Sequence, residues 1–197
     1  MQRLIRKIRK GRVIAVMMFP VYTSFSRARD RTKVLHNHCF PWGIPQRFLS
    51  EHEKQDISLG NACFRTCLKL IAELNARSIP WVLENPWSSR CWDLPPIRDL
   101  LSQQKAFLCR GDACQWGTKW RKPTGFLYNH ILDSHRLHRP CSGQNGLCSR
   151  TGRRHWRLSG TGPTGVLWTK FTEPYPAKLS GDLAHVLTSK YHAPSWF

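Results

Sequence analysis

Two short apolar runs separated by one long amphipathic pattern constrain this chain more than any other feature. "RVIAVMMF" (12–19) is a continuous apolar stretch of strand length, suited to a strand buried on both faces. "WVLENP" (81–86) reads as a second buried strand that stops at a proline. Between them, from Glu51 to Arg77, the residues Ile57, Phe64, Cys67, Leu68, Ile71 and Leu74 fall on one helical stripe with charges opposite. Gly60 and Asn61 weaken that helix near its start, and Ile79–Pro80 ends it. A brief helix is predicted at Pro96–Gln103, with proline in its first turn. "AFLC" (106–109) predicts a strand followed by a turn at Arg110–Asp112, and "TGFLYN" (124–129) a strand paired with it as a hairpin. Strand, loop, helix, strand, helix, strand in that order predicts an α/β fold with a mostly parallel sheet.

The ends of the chain differ from this middle. Residues 1–11 are basic and amphipathic, with Leu4, Ile5 and Ile8 at helical spacing. The first 29 residues hold eight Arg or Lys and no acid, a composition shared with transit peptides and short signals, although Val13–Phe19 reads better as a sheet strand. Residues 20–50 form a long loop, of a length that marks function or disorder. Beyond residue 130 the chain is rich in Gly, Ser, Arg and Trp, with short strands expected at "HWRLSG" and "GVLWTKF" and a helix over Gly181–Lys190. The expected organisation is an α/β domain over 1–130 with a basic, irregular extension, 131–197, packed on it.

Charge narrows the class of partner. Thirty-one Lys and Arg against 12 Asp and Glu give a net charge of +19, which attracts nucleic acid or an anionic membrane surface. No run approaches the ~20 apolar residues a membrane helix needs, so nucleic acid is the expected partner and membrane is not. Eight cysteines in 197 residues are not disulfide-dense; Cys63 and Cys67, four apart on the helix, are explained by core packing. A reducing, intracellular setting is expected, nuclear or organellar.

An open α/β sheet places function at the carboxyl ends of its strands, which selects Pro20–Ser26, Glu84–Pro86 and Cys114–Thr124. Glu84 leaves its strand where a carboxylate can accept from the amino edge of a base, with Asn85 adding donor and acceptor; the alternative is a plain Asn-Pro turn. Lys119, Arg121 and Lys122 cluster around Trp116 and Trp120, suited to phosphate contact and base stacking, or else a solvated loop with two buried tryptophans. Cys141, Cys148 and His155, with His138 or His135 as fourth ligand, have the chemistry of a tetrahedral zinc site, though not compact zinc-finger spacing; separate thiols are the alternative.

Several segments together carry a resemblance: "PVYTSFSRARD", "HCFPWG", "LGNACFRTCLKLI", "WVLENPWSSRCWDLPPI", "CQWGTKWRKPTGFLYN", "LCSRTGRRHWRLSG" and "TEPYPAKL". In this order, over roughly residues 8–190, the chain resembles distant relatives of DNA cytosine-C5 methyltransferases of mobile-element, viral and protist type. The resemblance implies a partial Rossmann-like methyltransferase sheet, S-adenosylmethionine as cofactor and a cytosine flipped into the crevice. It implies that Glu84 and Asn85 match the Glu-Asn step that steadies the base, and that Arg121 and Lys122 match a basic turn on the DNA backbone. Pro20, Tyr22, Ser24 and Ser26 match the loop that carries the nucleophilic thiolate, but Tyr22 stands where the cysteine belongs. No Gly-x-Gly turn follows an apolar strand ahead of this loop, so the cofactor-binding half is expected to be missing or supplied by a second chain. The expectation is a degenerate methyltransferase-like protein, inactive alone, that binds nucleic acid. The alternative is a non-catalytic nucleic-acid-binding or ribonucleoprotein component.

Overall fold

The long central helix starts on a capping box. Ser50 Oγ accepts from Glu53 N–H and the Glu53 carboxylate reaches back to Ser50 N–H at 2.8 Å, which satisfies two otherwise orphan donors. In the computed structural model, which describes residues 1–21, 23–161, 165–166, 168, 172 and 174–192, this helix is the second of four. The elements run α1 (Gln2–Arg9), β1 (Val16–Met18), α2 (Glu51–Asn75), β2 (Trp81–Pro86), α3 (Pro95–Ser102), β3 (Phe107–Asp112), β4 (Pro123–Tyr128) and α4 (Ala177–His192).

The sheet order is β1-β2-β4-β3. β1 and β2 are parallel, with Val16 opposite Trp81 and Met18 opposite Leu83, while β4 runs antiparallel to both its neighbours. Two of the three pairings are therefore antiparallel, and the sheet is mixed rather than mostly parallel. The reason lies in connection length: residues 113–122 between β3 and β4 are too few for a parallel crossover, which needs a dozen or more.

Four other expectations are corrected. The apolar run 12–19 gives only three strand residues, and Ile14 and Phe19 flank them exposed; among the described residues β1 pairs along one side only, so no second strand extends the ladder. Arg110–Asp112 is not a turn but the end of β3, because Arg110 and Gly111 pair with Gly125 and Thr124 and Asp112 is buried. "HWRLSG" forms no strand, only an isolated bridge between Leu147 and Arg154 nearby. Much of "GVLWTKF" lies outside the described residues. The last helix begins at Ala177, four residues before the sequence suggests.

Side chains alternate along the strands and fill two layers. On one face Trp81, Leu83 and Leu127 pack with Ile8 of α1, Phe64, Ile71 and Leu74 of α2 and Ile97 of α3. On the other, Val82, Cys109 and Phe126 meet Trp116 and Leu137 and the stripe Leu179, Leu183, Val186 and Leu187 of α4. Each fully buried aliphatic or aromatic side chain contributes about 1.5–3 kcal/mol. The segment beyond residue 130 thus supplies the cover for the second face of the sheet. None of the described helices is long and apolar enough to cross a membrane.

Loop 20–50 is held down at defined points. Phe25 is buried against Phe64 and stacks on His36 with ring centroids 4.0 Å apart. Its carbonyl accepts from Arg90 N–H at 3.0 Å. Gly60 of α2 permits this approach: a Cβ there would lie 3.2 Å from the Phe25 ring and against Ser24 Oγ.

Candidate functional site

The parallel strands β1, β2 and β3 have their carboxyl ends on the same side of the sheet, and the three segments selected from the sequence meet there. Asn85 is fully buried, and its Nδ2 donates to the Pro20 carbonyl at 3.3 Å, which ties the loop after β1 to the end of β2. Its Oδ1 has no partner among the described residues. Glu84 beside it is partly buried. Burial raises its carboxyl above the usual range, opposed by the Tyr175 hydroxyl, which donates to it, and by the Lys122 ammonium. Lys122 also donates from Nζ to the Thr172 carbonyl. Residues 172 and 175 therefore lie over the strand ends, and Tyr175 packs on Phe19 at 5.5 Å.

The loop residues matched to the lost nucleophile have structural neighbours. Pro20 and Ser24 are buried, Ser24 against α2, and Ser26 caps a 3-10 turn by accepting from Ala28 N–H at 3.3 Å. Tyr22 lies outside the described residues.

The basic turn divides between two tasks. Arg121 points inward: its guanidinium donates to the Cys141 and Ser142 carbonyls and lies 3.5 Å from the carboxylate of Asp112. Asp112 is fully buried, and also receives Arg110 Nη2 at 3.1 and 3.0 Å and the Cys141 N–H at 2.6 Å. Two arginines thus neutralise one buried carboxylate, and that carboxylate anchors the chain at Cys141. Lys119 points elsewhere, with Nζ 4.5 Å from the centre of the Trp156 ring.

What this anchor holds is a four-residue cluster. The ligand atoms of Cys114, Cys141, Cys148 and His155 all lie within 4.8 Å of one another, with Cys141 Sγ 3.7 Å from His155 Nε2. A zinc tetrahedron with Zn–S bonds of about 2.3 Å has edges of roughly 3.7 Å, so the donors need draw in only slightly. Cys114 stands on the 3-10 turn 113–116 directly after β3. Cys148 begins a tight loop: its N–H donates to the Arg153 carbonyl and its carbonyl accepts from Gly152, both at 2.8 Å, while His155 N–H donates to the Gly146 carbonyl at 3.0 Å.

Two of the three sulfurs, Cys141 and Cys148, are biased toward the thiolate. Burial opposes ionisation of Cys141, but Ser149 Oγ–H and N–H, at 3.4 and 3.3 Å, and the Gly143 N–H outweigh it and hold this thiol below its usual range. Cys148 is lowered in the same way, against burial, by the Arg150 and Thr151 N–H groups, the Thr151 hydroxyl and His155. Burial, then the two neighbouring sulfurs, push Cys114 the other way, up to about 12. A divalent cation in the centre would reverse that by supplying positive charge. The cluster can hold a metal such as zinc.

No family model, no curated protein and no solved structure matches this chain.

Two groups of the sequence-selected residues come together. Pro20, Glu84, Asn85 and Lys122 come together at the strand ends, while Cys141, Cys148 and His155 form the metal cluster with Arg121 bracing it. His138 and His135 are not the fourth ligand; they line a separate hollow beside Phe107 and Tyr128. The fourth member of the cluster is Cys114, 27 residues ahead of Cys141, brought in by the turn that follows β3. Tyr175 and Asp112 were also missed. Neither has a local pattern to betray it, since their partners are far away in sequence.

Proposed function

We propose that this chain is a nucleic-acid-binding protein built on a degenerate, cytosine-C5 methyltransferase-like half-sheet, with zinc fastening its basic C-terminal region to that sheet. The observation that carries this reading is the meeting of Pro20, Glu84, Asn85 and Lys122 at the carboxyl ends of the strands, where an α/β fold receives its ligand. Glu84 is the group suited to the amino edge of a base, and Lys122 to the adjoining phosphate. Tyr175 occupies the Glu84 carboxylate and must yield for a base to enter. The mixed order, with reversed β4 between β2 and β3, is compatible with half of a methyltransferase-type sheet. Among the described residues no strand pairs with the outer edge of β1, and that is where further strands would add.

S-adenosylmethionine is not fitted by these residues. β1 leads into Pro20 rather than a Gly-rich turn, and no described strand is followed by Gly-x-Gly. Position 22 offers a phenol where the chemistry requires a thiolate. No methyl-transfer step is derived for this chain. Zinc does fit: three thiolates and one imidazole fill all four tetrahedral positions, so the ion would be structural, with no open position for catalysis.

Three measurements test the reading. Protein purified without added metal should carry about one zinc per chain, and Cys114→Ser should lose it; a metal-free, fully folded protein overturns the zinc assignment. Oligonucleotide binding should fall steeply with salt, and absent binding at low salt overturns the nucleic-acid assignment. Labelled S-adenosylmethionine should give no methyl transfer by this chain alone. Turnover that Glu84→Ala abolishes would show an active enzyme instead.

A further inference from the structure

The segment between the last two ligands has a property of its own. Cys148 and His155 bracket Arg150, Thr151, Arg153 and Arg154, and these residues, with Lys119 and Trp156, line a cavity of about 350 Å³. Among the described residues not one carboxylate lines it. The sequence from Ser134 to Thr172 contains no Asp or Glu at all, against six arginines and one lysine. Arg136 and Arg139 of that stretch pair with Asp182, but among the described residues neither Arg153 nor Arg154 has a carboxylate partner. Arg150 is fixed differently, by Nε donating 2.8 Å to the Cys114 carbonyl. The cavity thus concentrates guanidinium charge on a short, closed loop, with no carboxylate among the described residues to offset it.

One wall is aromatic. Trp156 is 49% exposed although its backbone N–H is pinned to the Lys119 carbonyl at 2.8 Å. Lys119 lies over its ring, and Trp168 meets it edge-on at 6.4 Å. A half-exposed indole beside a cluster of arginines serves a ligand with both a flat apolar part and an anionic part. A nucleotide within a strand is such a ligand. Size agrees, because pockets for small ligands begin near 300 Å³.

We propose that this cavity is a binding site for single-stranded nucleic acid, with phosphate on Arg153 and Arg154 and a base against Trp156, and that the metal builds it. The arginine loop runs from one ligand to the next, so the ion fixes both of its ends. Without it the loop regains its freedom, and the charges must be gathered at the moment of binding. This rests on the nucleic-acid reading above and names a place for it distinct from the strand-end crevice.

The test is fluorescence anisotropy of a labelled single-stranded 12-mer with the full chain in its zinc-loaded form, titrated at several salt concentrations. Arg153→Ala/Arg154→Ala should weaken binding at least tenfold and flatten the logarithmic salt dependence by about 1.4, near 0.7 for each lost phosphate contact. Trp156→Ala should weaken it roughly fivefold or more with the salt slope unchanged, because stacking carries no counterion release. Arg3→Ala/Lys7→Ala removes the same charge from α1 and should change the affinity less than threefold. Chelation should cost as much as the double arginine variant. Zinc content and circular dichroism establish that each variant is folded. Folded, zinc-loaded arginine and tryptophan variants that bind like wild type overturn the cavity assignment and leave the nucleic-acid reading standing. A wild-type chain that binds no oligonucleotide overturns both. Undiminished binding after chelation overturns the metal dependence.

Discussion

His36 shows what one residue of the long loop does for stability. Its ring is buried to 1% exposure, stacks on Phe25 and donates from Nδ1 to the Pro41 carbonyl at 3.0 Å. Burial first, and then the nearby Arg90 charge, lower it to about 4, although the Pro41 carbonyl favours the protonated form. In the unfolded chain the same imidazole titrates near 6.5. Its neutral form therefore carries stability that is fully present above pH ~6.5 and is lost as the pH falls toward 4, of order 3 kcal/mol. Chemical denaturation of wild type and His36→Gln at pH 7 and pH 4.5 should show a clearly smaller acid loss in the variant; equal losses would contradict this account. Asn129 is a second such position. Its Oδ1 accepts from Trp81 N–H at 3.1 Å and its Nδ2 donates to the Ile79 carbonyl at 2.9 Å, in the buried gap where β2 begins. Asn129→Leu leaves both backbone groups unpaired and should cost about 2–4 kcal/mol in a urea melt. Neither role is legible in the sequence, because a buried His or Asn looks like any loop polar residue until its partners are known. Glu84 and Asn85 were legible as a strand end, but not the occupation of Glu84 by Tyr175, 91 residues later.

At the scale of elements, the sequence was readable where one pattern ran long enough. The 25 residues of α2, the apolar start of β2 and the proline opening α3 came through because periodicity and capping act locally. The end of β3 did not, since Arg-Gly-Asp carries the composition of a turn. The structure explains the glycine: Trp116 packs where a Gly111 Cβ would stand, with the Leu137 carbonyl 2.9 Å away. Asp112 follows because the ladder must deliver a carboxylate to Cys141 N–H. That anchor makes a prediction. Asp112→Asn keeps an acceptor for Cys141 but leaves Arg110 and Arg121 without their charge partner. Competition with a zinc chelator should show metal affinity lowered roughly 10–100-fold, the usual effect of changing a group that orients a ligand. Unchanged affinity would mean that the cluster assembles without this support.

The whole molecule divides its stability unevenly between sheet and cluster. The α2, α3 and α4 faces bury a conventional apolar core, whereas the third group of buried residues is only Cys114, Cys141 and Cys148. Residues 131–155 contain no α-helix and only isolated bridges, and apart from Leu137 and Ile131 against the sheet they bury few apolar side chains. Their order depends on hydrogen bonds to Asp112 and Arg121 and on whatever joins the sulfurs, a division that composition could not reveal because it emerges only when Cys114 is folded back. Removing the metal should therefore act locally. With a strong chelator, far-UV circular dichroism should keep nearly all its helical signal, as no α-helix lies between Ala113 and His155. Hydrogen exchange should meanwhile lose protection at Cys148, Gly152 and His155, whose amides close the loop, and retain it in β2 and β4. The melting temperature should rise with free zinc, since an ion that binds only the folded form stabilises it by mass action. Simultaneous loss of protection in β2, β4 and α2 would instead mean that the ion supports the entire fold, and that α4 cannot hold its face of the sheet without the cluster beside it.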